Sequence, residues 1–325
     1  MNRSARDAAL GERLESLYAA YGPETAGSDP IGLLSRYRRP EDLEVAGWIA
    51  SAFAYGRVET IRENVSRLFD ALGASPAREL DRTSDFRAFA RERLVGFRHR
   101  FHGREDAAAL FFAIKQARAG SGSVRAFFES EFRPEEEDVS GLLSRVTRRL
   151  LDFDYRAAIG RRRLPDDSAV RFFFPDPESG SACKRWHLYL RWMVRRDRLD
   201  FGLWPGIPTD RLLIPTDTHI HLISRRLGLT RRKTADGRTA REITARLKRF
   251  DPADPVKYDY ALCRIGIFGI CRASLRLSRC AECAAVSACP AGSRRIRRSG
   301  EREIGRSAAA WGTASNTDVV YAGTG

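Results

Sequence analysis

Three groups of side chains in this chain have types and spacings that can do chemistry. The first lies in Ile214 to Leu229, IPTDTHIHLISRRLGL, where Asp217, His219 and His221 fall on alternate positions. On a strand, alternate side chains share a face, so the H-x-H pair could hold one metal ion and support a metal-dependent hydrolase. On a helix the same pair points to opposite sides. Ile220, Ile223 and Leu227 recur at helical spacing, and Gly228 follows Arg225 and Arg226. That pattern predicts a helix over 217–227 with Asp217 as its N-cap. No histidine follows His221; the other three are His99, His102 and His187. The helix reading is therefore preferred over the metal site.

The second group is SACKRWHLYLRWMVRRD, residues 181–197. Ser181 can cap a helix whose apolar stripe is Trp186, Leu190, Met193 and Val194, with Arg185, Arg191, Arg195 and Arg196 on other faces. Lys184 then falls in the first turn, where the helix dipole opposes a cation and Arg185 adds a second positive charge. Both effects lower the basicity of the amine, and burial lowers it further. An amine so placed can act as a Schiff-base nucleophile. The ordinary alternative is an exposed lysine facing solvent or a phosphate.

The third group is C-x8-C-x2-C-x5-C, formed by Cys271, Cys280, Cys283 and Cys289. Four cysteines within so short a segment suit an iron–sulfur cluster or zinc better than disulfides in a reducing compartment. Cys263 sits in an apolar helical pattern and reads as a core residue; Cys183, beside Lys184, reads as a packing residue or a reactive thiol, with packing preferred.

The elements that must position these groups are almost all helical. Apolar positions at helical spacing predict helices over 6–21, from Pro40 to near Gly56, from Ile61 to Gly73, and near 84–94, 105–119, 122–131, 138–150, 181–197, 217–227, 238–249 and 254–268. Phe172, Phe173 and Phe174 offer a brief extended piece that cannot make a sheet. The expected fold is all-α with two helical lobes, and a cleft between lobes is the default ligand site. Residues 151–180 read as an irregular segment, within which Glu178, Ser179 and Gly180 can form a tight turn. Residues 1–270 read as one domain of two interleaved lobes, 271–290 as a cysteine-rich loop and 291–325 as a basic, unstructured tail.

Charge points to the partner. The chain carries 57 Lys and Arg against 42 Asp and Glu, a net +15. Such an excess fits a polyanion such as nucleic acid. An arginine-favouring genome would raise the total equally, so the clusters count for more than the sum. Phosphate-contacting candidates are Arg161, Arg162, Arg163, Ser181, Arg185, Arg225, Arg226, Arg231, Arg232 and Lys233. No apolar run is long enough for a membrane span, and the first residues do not read as a signal peptide, so a cytoplasmic monomer is expected.

IPTDTHIHLISRRLGL resembles the helix start of the helix-hairpin-helix DNA glycosylases, the superfamily of bacterial endonuclease III. There an Asp opens one helix, and bifunctional members carry a Lys at the start of the preceding long helix. Asp217 and Lys184 match those positions, at a separation closer to that in archaeal 8-oxoguanine glycosylases. DPIGLLSRY, DLEVAGWIASAFAYGRVETI, GFRHRF, GSACKRWHLYLRWMVRRD, DFGLW, IPTDTHIHLISRRLGLTRRK and FDPADPVKYDYALCRIGI together resemble a bacterial family of that superfamily whose activity is not known. The cysteine spacing is similar to the C-x6-C-x2-C-x5-C loop that holds a [4Fe–4S] cluster in endonuclease III, with the first gap longer by two. The superfamily's G-x-G hairpin loop has no counterpart; ESGSAC precedes Lys184 and DFGLWPGIP follows its helix.

The resemblance implies a flipped base in DNA, Lys184 attacking C1′ to form a Schiff base, and Asp217 stabilising positive charge on the sugar. It implies a [4Fe–4S] cluster on the four cysteines, with zinc as the alternative. The expected activity is a DNA glycosylase, with or without lyase activity at abasic sites. The competing expectations are a non-catalytic nucleic-acid-binding protein of the same fold, on DNA or RNA, and the metal-dependent hydrolase.

Overall fold

A computed structural model describes residues 3–299. In chain order the helices are α1 (Arg3–Ala20), α2 (Pro40–Ala52), α3 (Val58–Leu72), α4 (Pro76–Arg82), α5 (Phe86–Arg93), α6 (Arg104–Ser121), α7 (Val124–Glu129), α8 (Ser140–Leu151), α9 (Arg156–Ile159), α10 (Lys184–Val194), α11 (Thr218–Leu227), α12 (Gly237–Leu247), α13 (Asp259–Ile267) and α14 (Pro290–Ser299). Between α5 and α6 lies a two-residue antiparallel hairpin, β1 (Arg98–His99) and β2 (His102–Gly103). The described chain is thus all-α, as the periodicity predicts. No described helix is long and apolar enough to cross a membrane.

The chain divides into two compact units. One comprises residues 26–213, and the other combines the described residues up to 25 with those from 214 onward. Both units draw on the 1–270 span, in which two interleaved lobes are expected, and the cysteine loop falls in the discontinuous one.

In the 26–213 unit, α2 is the central element. Pro40 fixes the first turn, Glu41 and Asp42 answer the dipole, and Val45, Ala46, Trp48, Ile49 and Ala50 are all fully buried. A helix apolar on every side must be surrounded. Gly47 lets α10 approach: a Cβ there would stand 2.7 Å from the Met193 Cε and 3.3 Å from the Tyr189 ring. Trp48, Trp186, Tyr189, Phe128 and Trp204 interlock around this contact at centroid distances of 5.0 to 5.9 Å. Each such pair adds about 0.5–1.5 kcal/mol beyond its buried area. Two polar groups are satisfied inside the cluster. Trp204 Nε1 donates to Glu44 Oε1 (3.0 Å) and the Tyr189 hydroxyl donates to the Glu44 carbonyl (2.9 Å). The position of α10, and so of Lys184, follows from this core.

In the other unit, Leu10, Leu14 and Leu17 of α1 are buried. Arg13 Nε donates to Ser287 Oγ (3.1 Å), and the Tyr258 hydroxyl donates to Glu15. α11 and α13 pack on one another, and α14 joins them.

Three sequence expectations are corrected. Residues 291–299 belong to α14 and not to an unstructured tail, while 300–325 lie outside the described residues. Its one large apolar residue, Ile296, packs with Cys280 and Val286, too sparse a signal to show as periodicity among arginines. The Phe172 to Phe174 segment is not extended; Ala169–Phe173 is a 3-10 turn capped by Ser168. The rest of 151–180 holds α9 and a second 3-10 turn, Pro177–Ser179, closed by Gly180 at φ +82, which is the tight turn predicted there.

Candidate functional site

Lys184 is the first residue of α10. The helix starts two residues later than the Ser181 cap predicts. Ser181 Oγ instead accepts from the Cys183 N–H (3.2 Å), and Cys183 itself occupies the cap position at φ +44. A left-handed backbone on a non-glycine residue is uncommon and costs energy that the surroundings must supply. Cys183 is buried, as its packing role requires, and its thiol donates to the Pro175 carbonyl (3.6 Å). Lys184 is partly exposed. Two of the arginines expected off the apolar stripe, Arg191 in α10 and Arg195 at its C-cap, are buried. Arg191 and Arg195 both pair with the buried Asp200, whose carboxyl burial pushes up to about 6 against the pull of the two guanidiniums.

Asp217 is the N-cap of α11, as predicted. Its Oδ1 accepts from the N–H groups of His219 and Ile220, both at 2.9 Å. Gly228 closes the helix at φ +81. His221 Nε2 donates to the Arg232 carbonyl (3.0 Å), whereas His219 packs against Gly266 of α13. The two histidines are therefore turned to different neighbours, which removes the geometric basis for the H-x-H metal site. Lys184 and Asp217 belong to different units.

None of the four cysteines is in a disulfide. Arg226 of α11 ties their loop down: its guanidinium donates to Cys271 Sγ (2.9 Å), Ser278 Oγ (3.2 Å) and the Ala273 carbonyl (2.9 Å). Cys289 donates to the Arg226 carbonyl (3.5 Å) and accepts from the Gly292 N–H (3.3 Å). Cys280 and Cys283 line a small apolar core with Val286 and Ile296. Burial pushes the Cys283 thiol up to about 12, with Cys289, Cys271 and Cys280 adding to it; burial raises Cys280 and Cys289 as well. Among the described residues no three His, Cys, Asp or Glu side chains are close enough together to hold a metal ion. The donor set still fits a thiophilic metal in its chemistry, being four soft sulfurs that feel one another's charge.

The basic candidates divide by what they already bind. Arg226 serves the cysteine loop. Arg232 pairs with Asp236 (2.9 Å) and Thr239 (3.0 Å), and Asp236 caps α12. Arg161, Arg162 and Arg163 are exposed after the left-handed Gly160, and Arg225, Arg231 and Lys233 are exposed too.

Sequence reading missed one cluster. Tyr55 follows α2, and its hydroxyl bonds His102 Nδ1. His102 Nε2 donates to the Ala169 carbonyl (2.9 Å), and the ring stacks on Phe173 at 4.2 Å. His99 Nε2 donates to the Tyr55 carbonyl (2.9 Å). Burial holds both histidines below the usual imidazole range, His102 at about 4. On this scaffold sit two exposed rings, Phe101 (52%) and Phe172 (39%), 5.1 Å apart and nearly perpendicular. The Arg185 guanidinium lies 3.6 Å from the Phe172 ring centre and donates to the Phe172 carbonyl. Burial pulls Arg185 down to about 10, still protonated at neutral pH. GFRHRF and RFFF carried the signal, but a two-residue strand is too short for periodicity to reveal.

A family model described as "protein of unknown function (DUF2400)" matches residues 29–268. The matched segment includes Lys184, Asp217 and the aromatic cluster and ends before Cys271. No curated protein and no solved structure matches. Because the match spans well over half of the chain, the chain belongs to the DUF2400 family.

Proposed function

We propose that the protein is a DNA glycosylase of the helix-hairpin-helix type, with lyase activity at the resulting abasic site. The observation that carries the reading is a pair of helix starts, with Lys184 opening α10 and Asp217 capping α11. These are the two positions the superfamily uses for chemistry. In the proposed reaction the Lys184 amine forms a bond to C1′ of the sugar. The C1′–base bond breaks, and the base leaves with the bonding pair and takes up a proton. Loss of the amine proton and ring opening then give the Schiff base. The Asp217 carboxylate stabilises the positive charge that develops on the sugar. The net charge of +15 supports a polyanionic substrate.

Cys271, Cys280, Cys283 and Cys289 are proposed to hold a [4Fe–4S] cluster, with zinc as the alternative. When bound it would act as a structural clamp rather than as a redox catalyst. Arg226 already ties this loop to the helix that Asp217 caps.

The test is base release on a panel of damaged oligonucleotides, with borohydride trapping. Release and a covalent adduct that is lost in Lys184→Ala support the reading. Release without trapping restricts it to a glycosylase alone. Binding without release across the panel would leave a non-catalytic nucleic-acid-binding protein.

A further inference from the structure

Among the described residues the exposed large apolar side chains are Val95, Phe101, Phe172 and Leu277. Phe101 and Phe172 touch each other, although they stand 71 positions apart in the chain. Exposed aromatic rings in contact have a cost in water unless something covers them.

The rings are held in place from behind. Tyr55 meets Phe172 edge-on at 4.9 Å and Phe101 at 5.9 Å. Tyr55 is fixed in turn by its bond to His102, which is locked by Ala169 and Phe173. Phe101 is the second residue of a two-residue hairpin loop whose first, Arg100, has φ +55. Glycine usually takes that position. Here the chain tolerates a strained arginine and presents a phenylalanine to solvent beside it. Among the described residues the other non-glycine residue with positive φ is Cys183, two positions before Arg185 of the same cluster. Strained backbone of this kind gathers at binding sites.

The surrounding charge is positive. Arg57, Arg98 and Arg100 are exposed, and the Arg100 side chain runs over Gly56, 3.3 Å from where a Cβ would be. Gly56 has φ +99, so a side chain there would be strained as well as crowded. Two carboxylates at the start of α6 are engaged. Asp106 accepts from the Gly103 N–H (2.8 Å), and Glu105 pairs with Arg104 (2.7 Å).

We infer that Phe101, Phe172 and Arg185 form a stacking site for an unpaired base of a DNA strand, whose phosphates meet Arg98 and Arg100. The inference deepens the nucleic-acid reading above and rests on it. A flat π-faced ligand on an anionic backbone satisfies both the exposed rings and the uncompensated guanidiniums. Every base has a π-face, so the site is tolerant of sequence.

The test uses the full chain and a fluorescein-labelled single-stranded oligonucleotide carrying 2-aminopurine, whose emission reports stacking. Anisotropy gives affinity, and circular dichroism confirms folding. Phe101→Ala and Phe172→Ala are each expected to weaken binding by about tenfold or more and to remove the change in 2-aminopurine emission. Phe101→Trp keeps a ring at the exposed position and should restore both signals, whereas Val95→Ala, at an exposed apolar residue outside the ring pair, should leave both unchanged. Unchanged affinity and emission in both alanine variants overturns the stacking site while leaving the glycosylase reading intact. Aromatic-dependent binding with no base release on the lesion panel supports the stacking site and removes the glycosylase. Failure of the unsubstituted protein to bind any oligonucleotide removes both.

Discussion

Arg185 and Phe172 are joined twice: the guanidinium stands 3.6 Å from the ring centre, and one of its nitrogens donates to the Phe172 carbonyl. A planar fork can stack and donate at once, whereas an ammonium cannot. Arg185→Lys should therefore lower stability by about 1–2 kcal/mol, read from urea midpoints, even though the charge is kept. An unchanged midpoint would show that the stacked contact contributes little.

Asp217 has a structural role and a proposed chemical one, and these can be separated. Asn caps helices as well as Asp does, so Asp217→Asn should keep stability within a few tenths of a kcal/mol, while Asp217→Ala should cost about 1 kcal/mol. Base release should fall in both. Full base release by Asp217→Asn would confine the residue to capping.

His102 gives a pH dependence of definite sign. Its folded value is about 4 against 6.5 for a free imidazole, because burial disfavours the charged form and Arg185 and His99 add to the effect. The folded state binds fewer protons than the unfolded chain between these values. Stability is full above about 6.5 and falls as the pH drops toward 4, by a contribution on the order of 3 kcal/mol. His99 adds in the same direction. Thermal melts across this window should show a shallower slope in His102→Gln than in the unsubstituted protein.

Metal-free protein should react slowly with iodoacetamide at Cys283 near neutral pH, because a thiol pushed up to about 12 is almost entirely protonated. Protein isolated without oxygen should carry iron and sulfide and absorb in the visible, and Cys283→Ser should lose both and melt lower. Metal analysis showing zinc would exchange one proposed centre for the other; finding no metal would remove both.

Gly47 can be tested by size. A Cβ there would meet the flexible end of Met193 and the edge of the Tyr189 ring. Gly47→Ala gains about 1 kcal/mol of helix propensity to offset the contact and should be near neutral. Gly47→Val should destabilise by about 1–3 kcal/mol, checked by denaturant unfolding.

The long helices were legible because periodicity needs length. α2, α3 and α6 span three or more turns and appear where Val45, Trp48 and Ile49, or Val65, Leu68 and Phe69, repeat. Asp217 was legible because a cap leaves its mark in adjacent residues. The start of α10 was misplaced because Ser181 looks like a cap, while the observed cap is a left-handed cysteine that no propensity favours. The hairpin cluster was hidden for another reason. Its members come from residues 55, 99 to 102, 172 and 185, and only the folded chain brings them together. Arg226 looked like a phosphate ligand because its partners, Cys271 and Ala273, lie more than forty positions away.

The unit that begins with α1 is finished only by residues from 214 onward, with the whole 26–213 unit intervening in the chain. A ribosome therefore releases Leu10, Leu14 and Leu17 long before α13 and Ser287, against which α1 packs, have been made. The 26–213 segment has all its own partners by then and can fold first. During synthesis the apolar stripe of α1 therefore stays uncovered until residues from 214 onward emerge.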